Sequence, residues 1–98
     1  MLKIREVKND NALTYVLEGE LDLISSNELS KAIKIDECDE MIIDCTKLLY
    51  LTSAGIRVLM AANRDMNSKG GKLVVANIND SVKEVFALTG TDKILNIK

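Results

Sequence analysis

Hydrophobic and polar residues alternate with period two along the first part of the chain. Leu2 to Val7 and Leu13 to Glu18 both follow this pattern, which marks half-buried strands, and the cluster Lys8-Asn9-Asp10-Asn11 between them is rich in turn formers. The pattern predicts a hairpin whose first strand, with Lys3, Arg5 and Glu6 outward, is a sheet edge. Gly19-Glu20-Leu21-Asp22 ends the second strand. Ser25 then stands three residues before Glu28, the spacing of a capping box, so a helix is expected to start near Ser26 and to turn Leu29, Ala32 and Ile33 inward.

Met41 to Cys45 is almost continuously apolar and predicts a central strand covered on both faces. The run passes through Thr46 to Leu51 and turns, over a loop from Leu51 to Gly55, into a segment of helical period. At a hundred degrees per residue, Gly55, Val58, Leu59, Ala62 and Met66 share a core face. Ser53, Arg57, Met60, Arg64 and Asn67 share the opposite one, with Ile56 on its flank; an exposed Met beside an exposed Ile suits a docking patch. Gly70 can close the helix in the left-handed conformation. Lys72 to Ala76 reads as a short strand, Asn79 or Asp80 as the cap of a third helix with Val82, Val85 and Phe86 inward, Gly90 as its end, and Ile94 to Ile97 as a last short strand. The expected fold is α/β: one domain over residues 1–98, with a mixed sheet of four to five strands, an N-terminal hairpin followed by parallel strands, and three helices.

Composition narrows the function. The 98 residues carry a net charge of −2 and are 47% hydrophobic, as in a soluble globular protein. A mildly acidic chain whose aromatic residues are Tyr15, Tyr50 and Phe86 does not suit a nucleic-acid platform. No apolar run reaches the ~18 residues that span a bilayer, and the N-terminus has no apolar signal core, so the expected location is the cytoplasm without direct membrane insertion. There is no histidine, which removes the commonest general base and metal ligand together. Cys38 and Cys45 read as reduced thiols, and the acids of Asp36 to Glu40 lack the spacing of a calcium loop and read as a solvated loop. No metal or cofactor is expected. Gly70-Gly71 lacks the Gly-Lys-Ser/Thr sequel of a phosphate loop and leads from helix into strand.

The remaining chemistry lies where strands end. Loops at the carboxyl ends of parallel strands form sites, and two such loops are Gly19 to Asp22 and Leu51 to Gly55. If their strands are neighbours, Asp22 and Ser53 share one rim. Ser53 would then sit among the unpaired N–H groups of a helix start, where a phosphate is electrostatically welcome. A nucleophilic role for Ser53, assisted by Lys47 or Asp22, is disfavoured by the missing histidine and the lack of an oxyanion motif.

The chain resembles the STAS domain, named for sulphate transporters and anti-sigma factor antagonists. The matching pieces are Gly19-Glu20-Leu21-Asp22, Ile42-Ile43-Asp44, Tyr50 through Leu59, Gly70-Gly71-Lys72-Leu73-Val74-Val75, and Val82 to Ile97 with Leu88-Thr89-Gly90. Together they cover almost the whole chain in family order. The resemblance implies a bacterial partner-switching protein without catalytic residues. Its unphosphorylated form would bind a partner that is both anti-sigma factor and serine kinase, phosphorylation at Ser53 would release it, and a PP2C-type phosphatase would restore it. Many members carry an acid before this serine, where this chain has Thr52, and Thr52 is the alternative acceptor. The implied partner surface comprises Asp22, Thr52, Ser53, Ala54, Ile56, Arg57 and Met60. A different role within the same family is a constitutive accessory subunit of a membrane transport complex, such as a lipid-transport ATPase.

Overall fold

The computed structural model describes residues 2–98. Strands β1 (Lys3–Asn9) and β2 (Ala12–Leu21) form the expected hairpin, from Lys3 opposite Glu18 to Asn9 opposite Ala12. Helix α1 (Leu23–Ala32), strand β3 (Glu40–Leu51), helix α2 (Ser53–Ser68), strand β4 (Lys72–Ala76), helix α3 (Asp80–Thr89) and strand β5 (Asn96–Ile97) follow, with single 3-10 turns at Ile35–Glu37 and Thr91–Lys93. The five strands lie side by side in chain order, β1–β2 antiparallel and the rest parallel.

Because each parallel connection steps to the next strand in the same direction, right-handed crossovers put all three helices on one face of the sheet. Leu29 of α1, Leu59 and Met66 of α2, and Val82 and Phe86 of α3 join one core cluster with Tyr15, Ile43 and Val75. The other face carries Arg5, Thr14, Val16, Asp44 and Thr46, all exposed or half-buried. The expected two-sided covering of Met41 to Cys45 is therefore corrected: burial alternates along the run, Met41, Ile43 and Cys45 facing the helices while Ile42 and Asp44 face outward. A β-branched Ile42 at an outward position made the run look continuous.

β3 is also longer than its apolar run. Val16 pairs with Asp44 and Leu21 with Leu51, so five steps along β2 match seven along β3, leaving two extra residues in β3 with register shifts on either side of Glu18 to Gly19. The buried side chains consequently fall at Cys45, Leu48 and Leu51, every third residue. Period two is lost while the strand continues. A single residue, Thr52, separates it from α2, in place of the expected loop from Leu51 to Gly55.

The start of α1 is a second correction. The capping box lies three residues before the predicted one: Asp22 accepts from the N–H groups of Ile24 (3.1 Å) and Ser25 (3.0 Å), and its own N–H donates to Ser25 Oγ (2.8 Å). The other end of α1 is tied down by buried Tyr15, whose hydroxyl donates to Ala32 O (3.3 Å) and accepts from Lys34 N–H (2.9 Å). The acidic loop is exposed at Asp36, Glu37 and Asp39, but Cys38 is buried and Lys69 Nζ clasps the carbonyls of Ile35 (2.8 Å) and Cys38 (2.7 Å). Asn79 caps α3 through Val82 N–H (2.8 Å), and Gly90 closes it at φ 75°. β5 covers only part of the predicted Ile94 to Ile97; Ile94 itself is exposed.

Candidate functional site at the carboxyl rim

Leu21 and Leu51 are the last register pair of β2 and β3, so Asp22 and Thr52 leave the sheet side by side. The two expected loops are each reduced to one of these residues, because β2 runs through Gly19 to Leu21 and α2 begins at Ser53, and both lie on one rim. Thr52 N–H donates to Leu21 O (3.0 Å), and its hydroxyl reaches the same carbonyl at 3.5 Å. That hydroxyl makes no capping bond to α2, although Thr52 occupies the N-cap position. Asp22 caps α1 and Asn79 caps α3, whereas α2 begins without a side-chain cap. Its first hydrogen-bonded amide is Ile56 N–H on Thr52 O (3.1 Å), which leaves the N–H groups of Ser53, Ala54 and Gly55 without carbonyls from their own helix. Ser53 is exposed at this positive end.

Gly55 fixes how closely the end approaches the sheet. A Cβ there would stand 2.8 Å from Leu21 Cγ and 3.1 Å from Leu21 O. Only glycine lets the first turn of α2 rest on the last residue of β2. Asp22, half-buried beside it, is committed to its capping bonds: the Ser25 N–H first, then the Ser25 hydroxyl, hold its carboxyl below the ordinary 3.8. Its evident role is to build the rim.

Beyond Ser53, α2 presents Arg57 one turn on, exposed and without an ion pair among the described residues. Ala54, Ile56 and Met60 are half-buried, and the last two pack against the edge of the core, so the Ile56–Met60 pair is less exposed than its helical position implied. Ile56 and Met60, together with Asn63 and Asn67, form one wall of an open groove of about 790 Å³, faced by Ile94. The expected core face holds at Gly55, Leu59, Ala62 and Met66, while Val58 is half-buried and Asn63 is buried in addition.

The rim also carries large apolar side chains that pattern reasoning did not find. Leu23 and Ile24 in the first turn of α1 are 68% and 75% exposed, and Leu49 and Tyr50 at the end of β3 are 64% and 44% exposed. Tyr50 lies opposite Glu20, and a hydrogen bond to that carboxylate raises its phenol pKa above 10.0. The signals were masked by the shifted capping box and by the extra residues of β3. No group of His, Cys, Asp and Glu able to hold a metal ion occurs among the described residues. Both thiols are free and buried, and burial pushes Cys45 up to about 12.

Residues 3–98 match the model of the STAS domain. The chain belongs to the STAS domain family. Among the curated relatives of this STAS chain, the anti-sigma F factor antagonist of Paenibacillus polymyxa is 27% identical over 100 residues, covering 98% of this chain and 86% of that protein. An anti-sigma factor antagonist from Mycobacterium paratuberculosis superposes with a TM-score of 0.86 at 22% identity, covering 99% of this chain and 85% of that one. The Bacillus cell fate determinant SpoIIAA, solved in its phosphorylated form, superposes at 0.74 with 15% identity, over 100% of this chain and 91% of that one. The mixed five-stranded sheet with three helices is the fold these proteins share.

Proposed function

We propose that this STAS domain is a non-enzymatic, cytoplasmic anti-sigma factor antagonist that binds an anti-sigma factor with serine kinase activity and leaves it when Ser53 is phosphorylated. The observation that carries the reading is the exposed Ser53 hydroxyl at a helix start without a side-chain cap, one turn before Arg57 and at the rim where β2 and β3 end. The names of the relatives support the role, and the phosphorylated form of one structural neighbour supports the chemistry.

Phosphorylation replaces a neutral hydroxyl by a group of ~1.5–2 negative charges. In the free domain, the positive helix end favours that charge by ~0.3–1 kcal/mol, and Arg57 stands at the i+4 position that can pair with it. Against a partner fitted to the hydroxyl, the same charge is desolvated without a new counter-ion. A penalty of ~4 kcal/mol there weakens affinity about a thousandfold. A PP2C-type phosphatase would restore the binding form. Partner contact spreads over Asp22, Thr52, Ser53, Ala54, Ile56, Arg57 and Met60, with the exposed apolar rim beside them.

The test incubates the domain with ATP and the kinase, maps added phosphate by mass spectrometry, and compares variants. Ser53→Ala is expected to bind the kinase regardless of ATP, and Ser53→Asp to bind weakly. Phosphate confined to Thr52 would move the acceptor. Equal binding by the two Ser53 variants, or stable co-purification with a transport ATPase irrespective of phosphate, would replace the switch with constitutive docking.

A further inference from the structure

Ile56, Met60, Asn63 and Asn67 recur at helical spacing along one side of α2, face Ile94, and make the wall of the groove. The stripe runs ~16 Å, about three turns at 1.5 Å per residue. Two features restrict what fits it. Asn63 is only 5% exposed, and its Oδ1 is sealed from solvent without a donor among the described residues. An unmet buried acceptor is costly, and an apolar residue of similar size would avoid that cost. The charge along the groove is also of one sign: Arg57 and Arg64 border it and no acid lines it, although the chain's net charge is −2. Arg64 Nε lies 3.5 Å from Asp65 Oδ1 in an exposed pair, which holds it weakly, and Arg57 has no ionic partner among the described residues.

We propose that the groove seats an acidic amphipathic segment of the partner protein, with apolar anchors against Ile56, Met60 and Ile94, carboxylates on Arg57 and Arg64, and one hydrogen-bond donor delivered to Asn63 by rotation of its carboxamide. The inference rests on the reading that the Ser53 end of α2 meets that partner, and it supplies the chemistry of the docking segment. Positive charge selects and steers an acidic segment. The buried amide selects further, because a segment without a donor leaves Asn63 as unsatisfied in the complex as it is alone. Contact would then continue from the switch residue down the length of the helix, so that Ser53 controls release while the groove sets identity.

The probe is a pair of designed amphipathic helical peptides of about four turns, with leucine anchors, a central glutamine donor, and flanks of Glu in one and Lys in the other. Each is titrated into the ¹⁵N-labelled full chain. The acidic peptide is expected to shift the amides of Ile56 to Asn67 and Ile94, with the Lys version at least tenfold weaker; Arg57→Glu with Arg64→Glu should reverse that preference. With the kinase that modifies Ser53, Asn63→Leu should weaken binding tenfold or more while raising the melting temperature, a combination that a merely structural asparagine would not give. Equal response to both peptides, or wild-type kinase binding by Asn63→Leu and by the double Glu variant, overturns the inference. So does concentration-dependent self-association that shifts the same amides, because the occupant is then a second copy. These failures leave the Ser53 variants free to differ in kinase binding, whereas equal binding by Ser53→Ala and Ser53→Asp strikes the switch itself.

Discussion

The hydrogen atom that Gly55 carries in place of a methyl group sets where the Ser53 hydroxyl stands. A methyl carbon at that position would lie 2.8 Å from Leu21 Cγ and 3.1 Å from Leu21 O, so Gly55→Ala must push the first turn of α2 off β2. The helix gains ~1 kcal/mol from alanine's better propensity, but overpacking against a strand end costs ~1–3 kcal/mol. A net loss in urea unfolding is expected, together with changed amide shifts at Thr52 and Ser53, and trimming Leu21 to alanine in the same chain should restore the shifts. Asp22 gives a second test. Its unfolded carboxyl takes up a proton near 3.8, whereas the folded one resists protonation until lower pH. The cap's contribution is therefore complete well above pH 3.8 and is lost as pH falls through and below that value, because the unfolded chain then binds more protons. Asp44 adds to the same acid limb, held low first by the Thr46 hydroxyl and also by Asn77. Asp22→Asn keeps a capping oxygen without the titration. Its melting temperature should fall less than the wild type's between about pH 5 and about pH 2.5.

Elements show where pattern reasoning succeeds and where it stops. α2 was legible because its inward residues obey one angular rule from Gly55 to Met66, and α3 because Asn79 and Gly90 bracket it. The hairpin was legible because β2 alternates without interruption through Leu17 and the turn formers Lys8 to Asn11 precede it, although β1 keeps the alternation only as far as Arg5 before Glu6 and Val7 break it. β3 was only half legible: two extra residues reset which side chains face inward, a fact of pairing with β2 and not of its own sequence. Hence Leu49 and Tyr50 looked like ordinary members of an apolar stretch although they are exposed. α1 was misplaced by three residues because both Asp22/Ser25 and Ser25/Glu28 have capping spacing, and only the first lies where β2 ends. That choice exposes Leu23 and Ile24. The unpaired Oδ1 of Asn63 had no sequence signal, since an asparagine beside a core face usually finds a partner. The far end of α1 supplies a prediction at this scale. Tyr15→Phe removes the acceptor of Lys34 N–H and the donor to Ala32 O. Leaving that amide unmet costs ~1–3 kcal/mol. Urea denaturation should report the loss, and hydrogen exchange at Lys34 should accelerate more than at Leu29.

At the scale of the whole molecule, a sheet covered on one face would let a charge at position 53 act on a partner, as proposed, without remaking the fold. The core lies between the sheet and the three helices, and Leu59, Met66, Val82 and Phe86 are buried there, away from the solvent at Ser53. Neither Ser53 nor Arg57 contributes a side chain to that core, so a phosphate at position 53 meets solvent, a positive helix end and a nearby guanidinium. Interiors packed to crystal density respond to lost or added volume, and the proposed phosphorylation at this site would change none of theirs. Ser53→Asp, and the phosphorylated chain, should therefore keep the wild-type far-ultraviolet spectrum and melt at the same or a slightly higher temperature, with amide shifts confined to residues 52–57 and the end of β2. The direction is set by the helix end: a negative group there stabilises by ~0.3–1 kcal/mol, and raising the salt concentration should erase the gain. Calorimetry at low and high salt measures both quantities. A fall in melting temperature, or shifts spreading to Phe86 and Val75, would mean that a phosphate at position 53 rearranges the core, and release by interface charge alone would no longer account for the proposed switch.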